Sequence, residues 1–136
     1  QGKLLSAIVK SRDGAYSFDL ATVRRGVKVP AGTYDLYSAK LGLGKAEAYV
    51  RPGRMAAVEV EADETATVAW GGPVKGEFKY ARVGDQVAFS PEDVTYYGGA
   101  GEEYRVWDPV GKSPEFIIKE RKLGTELVKA LFPGST

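Results

Sequence analysis

A chain of 136 residues, 43% of them hydrophobic and 27% charged, is long enough for one domain or two small units and lies outside the disordered class. A net charge of +1 with only short basic clusters excludes a nucleic-acid partner on charge grounds, and the absence of Cys and His removes disulfides, thiolate nucleophiles, imidazole bases and the usual zinc or copper ligands. Because these ligands are missing, we expect no metal and no cofactor. No apolar run approaches the roughly 20 residues needed to cross a bilayer, so we also expect no membrane insertion.

The first half of the chain consists of short alternating segments separated by turns. Its clearest strand follows Pro30, which restricts φ, and Gly32, which tolerates positive φ. Tyr34 and Leu36 then alternate with Asp35 at the two-residue period of a half-buried strand. The same signals predict strands over residues 4–10, 16–20, 32–40, 45–51, 57–61 and 65–70.

The strongest break in the chain is Gly71-Gly72-Pro73, close to its midpoint. We place the boundary between two halves there, residues 1–71 and 72–136. Beyond the break, strands are predicted over residues 74–82, 86–90, 93–97, 104–108 and 114–120. Short strands with turn residues between them predict an all-β fold, an antiparallel β-sandwich that is either one elongated unit or two small ones in tandem.

The last segment, residues 123–132, fits two structures. Leu123, Leu127, Val128 and Leu131 have helical spacing, whereas Val128 also alternates with Ala130 and Phe132 as in a strand. In an all-β context the final segment usually completes a sheet, so we predict a closing strand. A helix stays the alternative for this segment.

Three turn-and-strand motifs lie between about residues 10 and 70. Asp13-Gly14 precedes an aromatic strand, Pro30-Ala31-Gly32-Thr33-Tyr34-Asp35-Leu36 forms the next, and residues 58–70 follow as strand, turn and strand. This pattern resembles the transthyretin-like or carboxypeptidase-regulatory-like β-sandwich family. The whole chain, particularly Trp70-Gly71-Gly72-Pro73 and residues 97–104, is in turn similar to domains of uncharacterised secreted bacterial β-sandwich proteins. The resemblance implies an extracytoplasmic module used for spacing, stability or binding, and it implies no catalytic residues.

The acidic residues are not spaced as a catalytic pair or a calcium-binding loop would require. Glu102 and Glu103 are adjacent, so on a strand they point to opposite faces and cannot form the facing pair of a glycosidase. We interpret them as solvated loop acids. Five further acids could supply oxygen ligands to calcium, but their spacing matches no calcium-binding loop, and we interpret them as exposed turn residues: Asp13, Asp19, Glu61, Asp63 and Glu64. The string Gly98-Gly99-Ala100-Gly101 is not followed by a helix pattern, so it is interpreted as a flexible hairpin loop rather than a phosphate cradle.

Aromatic residues are the best candidates for a binding site. If residues 94–97 and 104–107 pair as a hairpin and their valines face the core, Tyr97, Arg105 and Trp107 face outward. Together these side chains could stack on a sugar ring or contact a protein. The alternative is that another strand or the first half of the chain covers Tyr97 and Trp107.

The sequence therefore predicts a protein that is not an enzyme. Its expected role is structural, as an extracytoplasmic module that spaces, docks or assembles with a protein partner. One alternative is a carbohydrate-binding module that uses Tyr97, Arg105 and Trp107 on a glycan. Another is a self-assembling subunit in which residues 4–9 complete a neighbour's sheet by strand addition.

Overall fold

The computed structural model describes residues 2–22, 24–90, 93–106 and 115–131, which form an all-β fold. One turn of 3₁₀ helix, Leu20–Thr22, follows the second strand. The strands are β1 (Lys3–Ser11), β2 (Ser17–Asp19), β3 (Gly32–Leu43), β4 (Ala46–Arg51), β5 (Val58–Val60), β6 (Lys75–Phe78), β7 (Ala81–Val83), β8 (Gln86–Ala88), β9 (Val94–Tyr97), β10 (Glu103–Val106), β11 (Glu115–Lys119) and β12 (Glu126–Leu131).

Most of these strands belong to one antiparallel sheet. Its order is β2-β1-β3-β4-β10-β9-β6, and β5 pairs with the beginning of β3. Two hairpins form separate two-stranded sheets, β7 with β8 and β11 with β12. The predicted fold class is therefore confirmed: the protein is all-β and antiparallel, in an arrangement consistent with a β-sandwich.

The long strand β3 organises the large sheet. It pairs with β1 on one side, while on the other side residues 32–34 pair with β5 and residues 39–43 with β4. Opposite the consecutive residues Ile8 and Val9 of β1 stand Ser38 and Leu36, so β3 carries one extra residue there. Such a bulge bends the strand and increases its twist, which lets β3 serve two different neighbours on one side.

The core lies on one face of this sheet. Its buried apolar side chains come from β1, β3 and β4: Ala7, Val9, Tyr34, Leu36, Ala39 and Val50. Segments outside the sheet pack against them through Leu20, Val29, Met55 and Trp70. The Tyr34 hydroxyl donates a 2.8 Å hydrogen bond to the Pro30 carbonyl. This bond explains the Pro-x-Gly-x-Tyr motif, since it satisfies the one polar group that the buried ring carries inward.

Several sequence expectations are corrected in detail. Residues 65–70 do not form a strand: the segment has irregular conformation and is mostly exposed, and its Trp70 packs against the core. The single strand predicted over residues 74–82 is two strands, β6 and β7, which belong to different sheets. The ambiguous C-terminal segment is the strand β12 rather than a helix, as predicted.

The large sheet draws strands from both sides of Gly71-Gly72-Pro73. Strand β4 pairs with β10, so strands from residues 1–71 and from residues 72–136 are neighbours in one sheet. The division of the chain into those two halves stays a prediction.

Candidate functional site

The predicted aromatic patch lies on the hairpin formed by β9 and β10. In their register Tyr97 is opposite Glu103 and Tyr96 is opposite Tyr104. Tyr104 packs against the core, so Arg105, its neighbour along the strand, points to the outer face together with Tyr97. The structure thus places Tyr97 and Arg105 on one face, while Trp107 lies outside the described residues.

A cation covers one face of the Tyr97 ring. The Arg54 guanidinium carbon lies 4.0 Å from the ring centroid. Arg54 is held there by an ion pair with Glu77, with a nitrogen-to-oxygen distance of 2.8 Å. Hydrogen bonding to Glu77 raises the pKa of the guanidinium, and the same bond lowers the pKa of the Glu77 carboxyl. A sugar that stacked on this face of Tyr97 would have to displace Arg54 first.

The outer face repeats this pairing of a cation with a tyrosine. The Lys10 ammonium lies 3.7 Å from the centroid of the Tyr37 ring, and Lys40 lies 5.5 Å from that of Tyr49. Sequence reasoning missed both pairs, because their partners come from different strands and only the strand register brings them together. The outer face is therefore a charged, solvated surface on which each of these rings has a cation as a neighbour.

Glu102 is the residue that sequence reasoning misjudged most. Its exposed fraction is 0%, so it is a buried side chain and not a solvated loop acid. One carboxylate oxygen accepts hydrogen bonds from the Gly71 backbone N–H at 2.5 Å and from the Tyr104 hydroxyl at 2.8 Å. The other accepts from the Ala100 N–H at 2.9 Å. The carboxylate thereby ties the end of the Trp70-Gly71 segment to the tip of the β9–β10 hairpin.

Three glycine turns meet around this carboxylate, and we call the group Gly53, Gly71, Gly98, Gly99, Gly101 and Glu102 the glycine junction. The Gly99 N–H donates to the Gly71 carbonyl at 2.7 Å, and the Arg54 N–H donates to the Gly101 carbonyl at 2.8 Å. A Cβ atom on Gly98 would lie 2.0 Å from a Glu102 carboxylate oxygen, so a side chain there would force the buried carboxylate to shift. The glycine string 98–101 is thus an ordered turn bonded to two other segments, and not the flexible loop that was predicted.

The protonation states of the junction follow from its contacts. Burial alone would raise the pKa of Glu102, but the hydrogen bonds from Gly71, Tyr104 and Ala100 outweigh it and hold the pKa below its usual value. Burial raises the pKa of Tyr104 strongly, and the bond to the Glu102 carboxylate raises it further. Glu102 is therefore ionised at neutral pH and Tyr104 keeps its proton, as the 2.8 Å hydrogen bond from the Tyr104 hydroxyl to the Glu102 carboxylate requires.

Other carboxylates that could have held calcium serve the turns. Asp19 accepts from the Ala7 N–H at 2.9 Å and from the Ala21 N–H at 3.0 Å, and Asp13 accepts from the Ala15 N–H at 2.9 Å. These backbone bonds are the main reason that the pKa of each carboxyl is lowered. In the part of the chain that the structure describes, no three acidic side chains converge as metal ligands would.

Two open clefts lie at the margins of the fold. One, of about 380 Å³, lies between the β1–β2 turn and the start of β3 and is lined by Arg12, Asp13 and Thr33, among others. Its charged groups are already bonded, since Arg12 forms a 2.8 Å ion pair with Asp35. The other, of about 430 Å³, lies beside β7 and β8 and includes Tyr80 and Phe89.

Exposed apolar side chains are concentrated on the two separate hairpins. Val83 and Val87 of β7–β8 and Ile117 and Leu127 of β11–β12 are all exposed. The hairpin β11–β12 also exposes Ile118, Leu123, Val128 and Leu131. A two-stranded hairpin has no room for a core of its own, so both of its faces stay accessible unless something packs on them.

No protein-family model, curated protein or solved structure matches this chain. Within the described ranges there is no helix of sufficient length and apolarity to pass through a bilayer.

Proposed function

We propose that this chain is a non-catalytic, extracytoplasmic β-sheet module that docks a protein partner. The large sheet serves as the rigid platform, and the hairpins β7–β8 and β11–β12 present the contact surface. The observation that carries the proposal is the concentration of exposed apolar side chains on these hairpins, while the outer face of the large sheet is charged. Exposed apolar side chains that are grouped on short segments are candidates for contact with a partner, because large exposed apolar patches mark interaction sites.

The carboxylates support a role without catalysis. A general acid needs a pKa raised toward neutrality, as in the glycosidases. In the described ranges, the carboxyls with a shifted pKa are shifted downward by hydrogen-bond donors or a neighbouring cation: Asp13, Asp19, Asp35, Glu77, Glu102 and Glu120. Their oxygens hold turns and strands in place, so they serve the fold.

Two other functions have weaker support. Carbohydrate binding has Tyr97 and Arg105 on one face in its favour, but Arg54 occupies one side of the ring that a sugar would need. Assembly through residues 4–9 would use strand β1. That strand is already paired with β3 along its length and with β2 over residues 8–10. A neighbour's strand that paired with residues 8–10 of β1 would have to displace β2.

The proposal is tested by chemical cross-linking in the native host, with partners identified by mass spectrometry. The substitutions Val83→Lys and Val87→Lys remove two exposed apolar side chains of β7–β8, and Tyr37→Lys is the matched control on the outer face of the large sheet. We expect one defined set of cross-linked proteins that the hairpin variants lose and the control keeps. Identical cross-links in all variants, or glycan binding abolished by Tyr97→Ala, would contradict the docking function.

A further inference from the structure

The edge of β11 away from β12, with which no described strand pairs, is complementary to a second copy of itself. Its sequence is Glu115-Phe116-Ile117-Ile118-Lys119, with an acid at one end, a base at the other and Ile117 at the centre. When two such strands lie antiparallel about a twofold axis through Ile117, Glu115 of each stands opposite Lys119 of the other. We propose that this edge pairs with the same edge of a second copy, which joins two hairpins into a four-stranded sheet. The proposal rests on the docking function and names its partner.

The pairing state of the hairpin supports this assignment. Strand β12 occupies one side of β11, and no described strand occupies the other. An unpaired edge of this kind exposes backbone N–H and C=O groups to any strand that can match them. An isolated two-stranded hairpin is at best marginally stable in water, whereas four strands allow neighbouring side chains to pack on each face. Pairing with a second copy supplies both the missing backbone partners and the missing apolar contacts.

Charge selects this edge over the edge of β12. Glu115 forms a 3.2 Å ion pair with Lys129 of β12, and by strand alternation it lies on the face that Ile117 and Lys119 share. Among the described residues the Lys119 ammonium has no ion-pair partner. In the twofold arrangement Lys119 gains the partner copy's Glu115, and each Glu115 lies between two lysines. Opposite charges directly across a strand pair stabilise it, and two such pairs flank the apolar centre.

The symmetry makes a specific prediction for position 117. Residues on the axis of an antiparallel pair face their own copies, so the two Ile117 side chains contact each other, while residues 116 and 118 face one another. Ile117 is 43% exposed and Ile118 is 38% exposed in the single chain, so the two positions are equally accessible to solvent. Only position 117 brings identical residues within reach of a disulfide.

The first experiment measures the oligomeric state of the full chain by sedimentation velocity over a range of concentrations. We expect a monomer–dimer equilibrium that Ile117→Lys abolishes, because it would place two like charges together on the axis. Lys119→Glu should abolish it too, since that change sets two acids opposite each other twice while leaving the Glu115–Lys129 ion pair in place. The matched controls are Leu127→Lys on β12 and Lys122→Glu in the hairpin turn, and both should still dimerise.

The second experiment uses the absence of Cys from the chain. Ile117→Cys and Ile118→Cys each introduce one thiol, and mild oxidation then reports which position meets its own copy. We expect rapid disulfide-linked dimer at position 117 and slow, collision-limited product at position 118, with unchanged circular dichroism in both variants.

A wild-type chain that stays monomeric at every concentration would overturn the self-pairing of β11, as would equal cross-linking at positions 117 and 118. A dimer lost in Leu127→Lys but retained in Ile117→Lys would place the contact on another edge and also overturn it. The docking function is tested separately, because a monomeric chain whose cross-links in the host still depend on Val83 and Val87 keeps that function without self-pairing.

Discussion

Replacement of Glu102 tests whether the glycine junction holds the two parts of the chain together. Glu102→Ala removes a fully buried carboxylate and leaves three hydrogen-bond donors without an acceptor, two backbone N–H groups and the Tyr104 hydroxyl. An unsatisfied buried donor costs about 1–3 kcal/mol, and removal of one partner from a buried charged network costs about 3–5 kcal/mol in total. We expect the free energy of unfolding to fall by about 3–5 kcal/mol, a large part of the roughly 5–15 kcal/mol that a domain has.

A smaller loss is expected for Glu102→Gln. The amide oxygen can keep the bonds from Gly71 and Tyr104, but the amide nitrogen then faces the Ala100 N–H, so one donor meets another. One lost bond of this kind corresponds to about 1–3 kcal/mol. The matched control is Glu103→Gln on the outer face, where the only described ion pair is a 3.4 Å contact with Arg105, and we expect a change within about 0.5 kcal/mol.

Acidification should reduce the difference between wild type and Glu102→Gln. The pKa of Glu102 is lower in the folded state than in the unfolded chain, so its contribution is complete above the unfolded value of about 4.3 and is lost as the pH falls through the folded value. Glutamine does not titrate in this range. The stability gap between the two proteins should therefore be full at about pH 7 and shrink below about pH 4.

Urea unfolding monitored by tryptophan fluorescence and circular dichroism, at each pH, gives these free energies from the transition midpoint and slope. An alanine variant within about 0.5 kcal/mol of wild type would refute the junction as a stabilising element. A gap between wild type and glutamine that stays constant or grows in acid would refute the ionised state of the carboxylate.

Three further changes are checked by the same unfolding measurement or by binding. Gly98→Ala should lower the free energy of unfolding by about 1–3 kcal/mol, because its Cβ collides with a carboxylate oxygen. Gly84→Ala has open space around it and should lose only the roughly 1 kcal/mol that its positive φ costs an alanine. Equal losses of stability in the two variants would contradict the steric argument. Leu36→Ala, at a site 7% exposed, should cost about 2–5 kcal/mol. Leu43→Ala, at the 62% exposed end of the same strand, should change stability by less than about 0.5 kcal/mol, and a reversed order would contradict the assignment of Leu36 to the core. Tyr97→Ala should leave a glycan array as silent as wild type, and a glycan signal that the substitution removes would favour the carbohydrate-binding alternative.

Local sequence determined the fold class and most strands of this protein. Alternation at a period of two and turns rich in Gly, Pro and Asp are properties of a few neighbouring residues, so Tyr34 and Leu36 could be assigned to one face of a strand before any partner was known. The same logic put Tyr97 and Arg105 on one face of a hairpin, where the structure has them.

Tertiary structure decided what no local pattern contains. Glu102 has the sequence context of a surface turn, and it is buried only because Gly71, more than 30 residues away, brings an N–H group to its carboxylate. Arg54 covers Tyr97 because the turn after β4 is hydrogen-bonded to Gly101 and the Arg54 side chain pairs with Glu77 of β6. Trp70 packs against the core from a segment that forms no strand. Burial and pairing across such distances depend on which segments come into contact, and the periodicity of a single strand does not predict its partner.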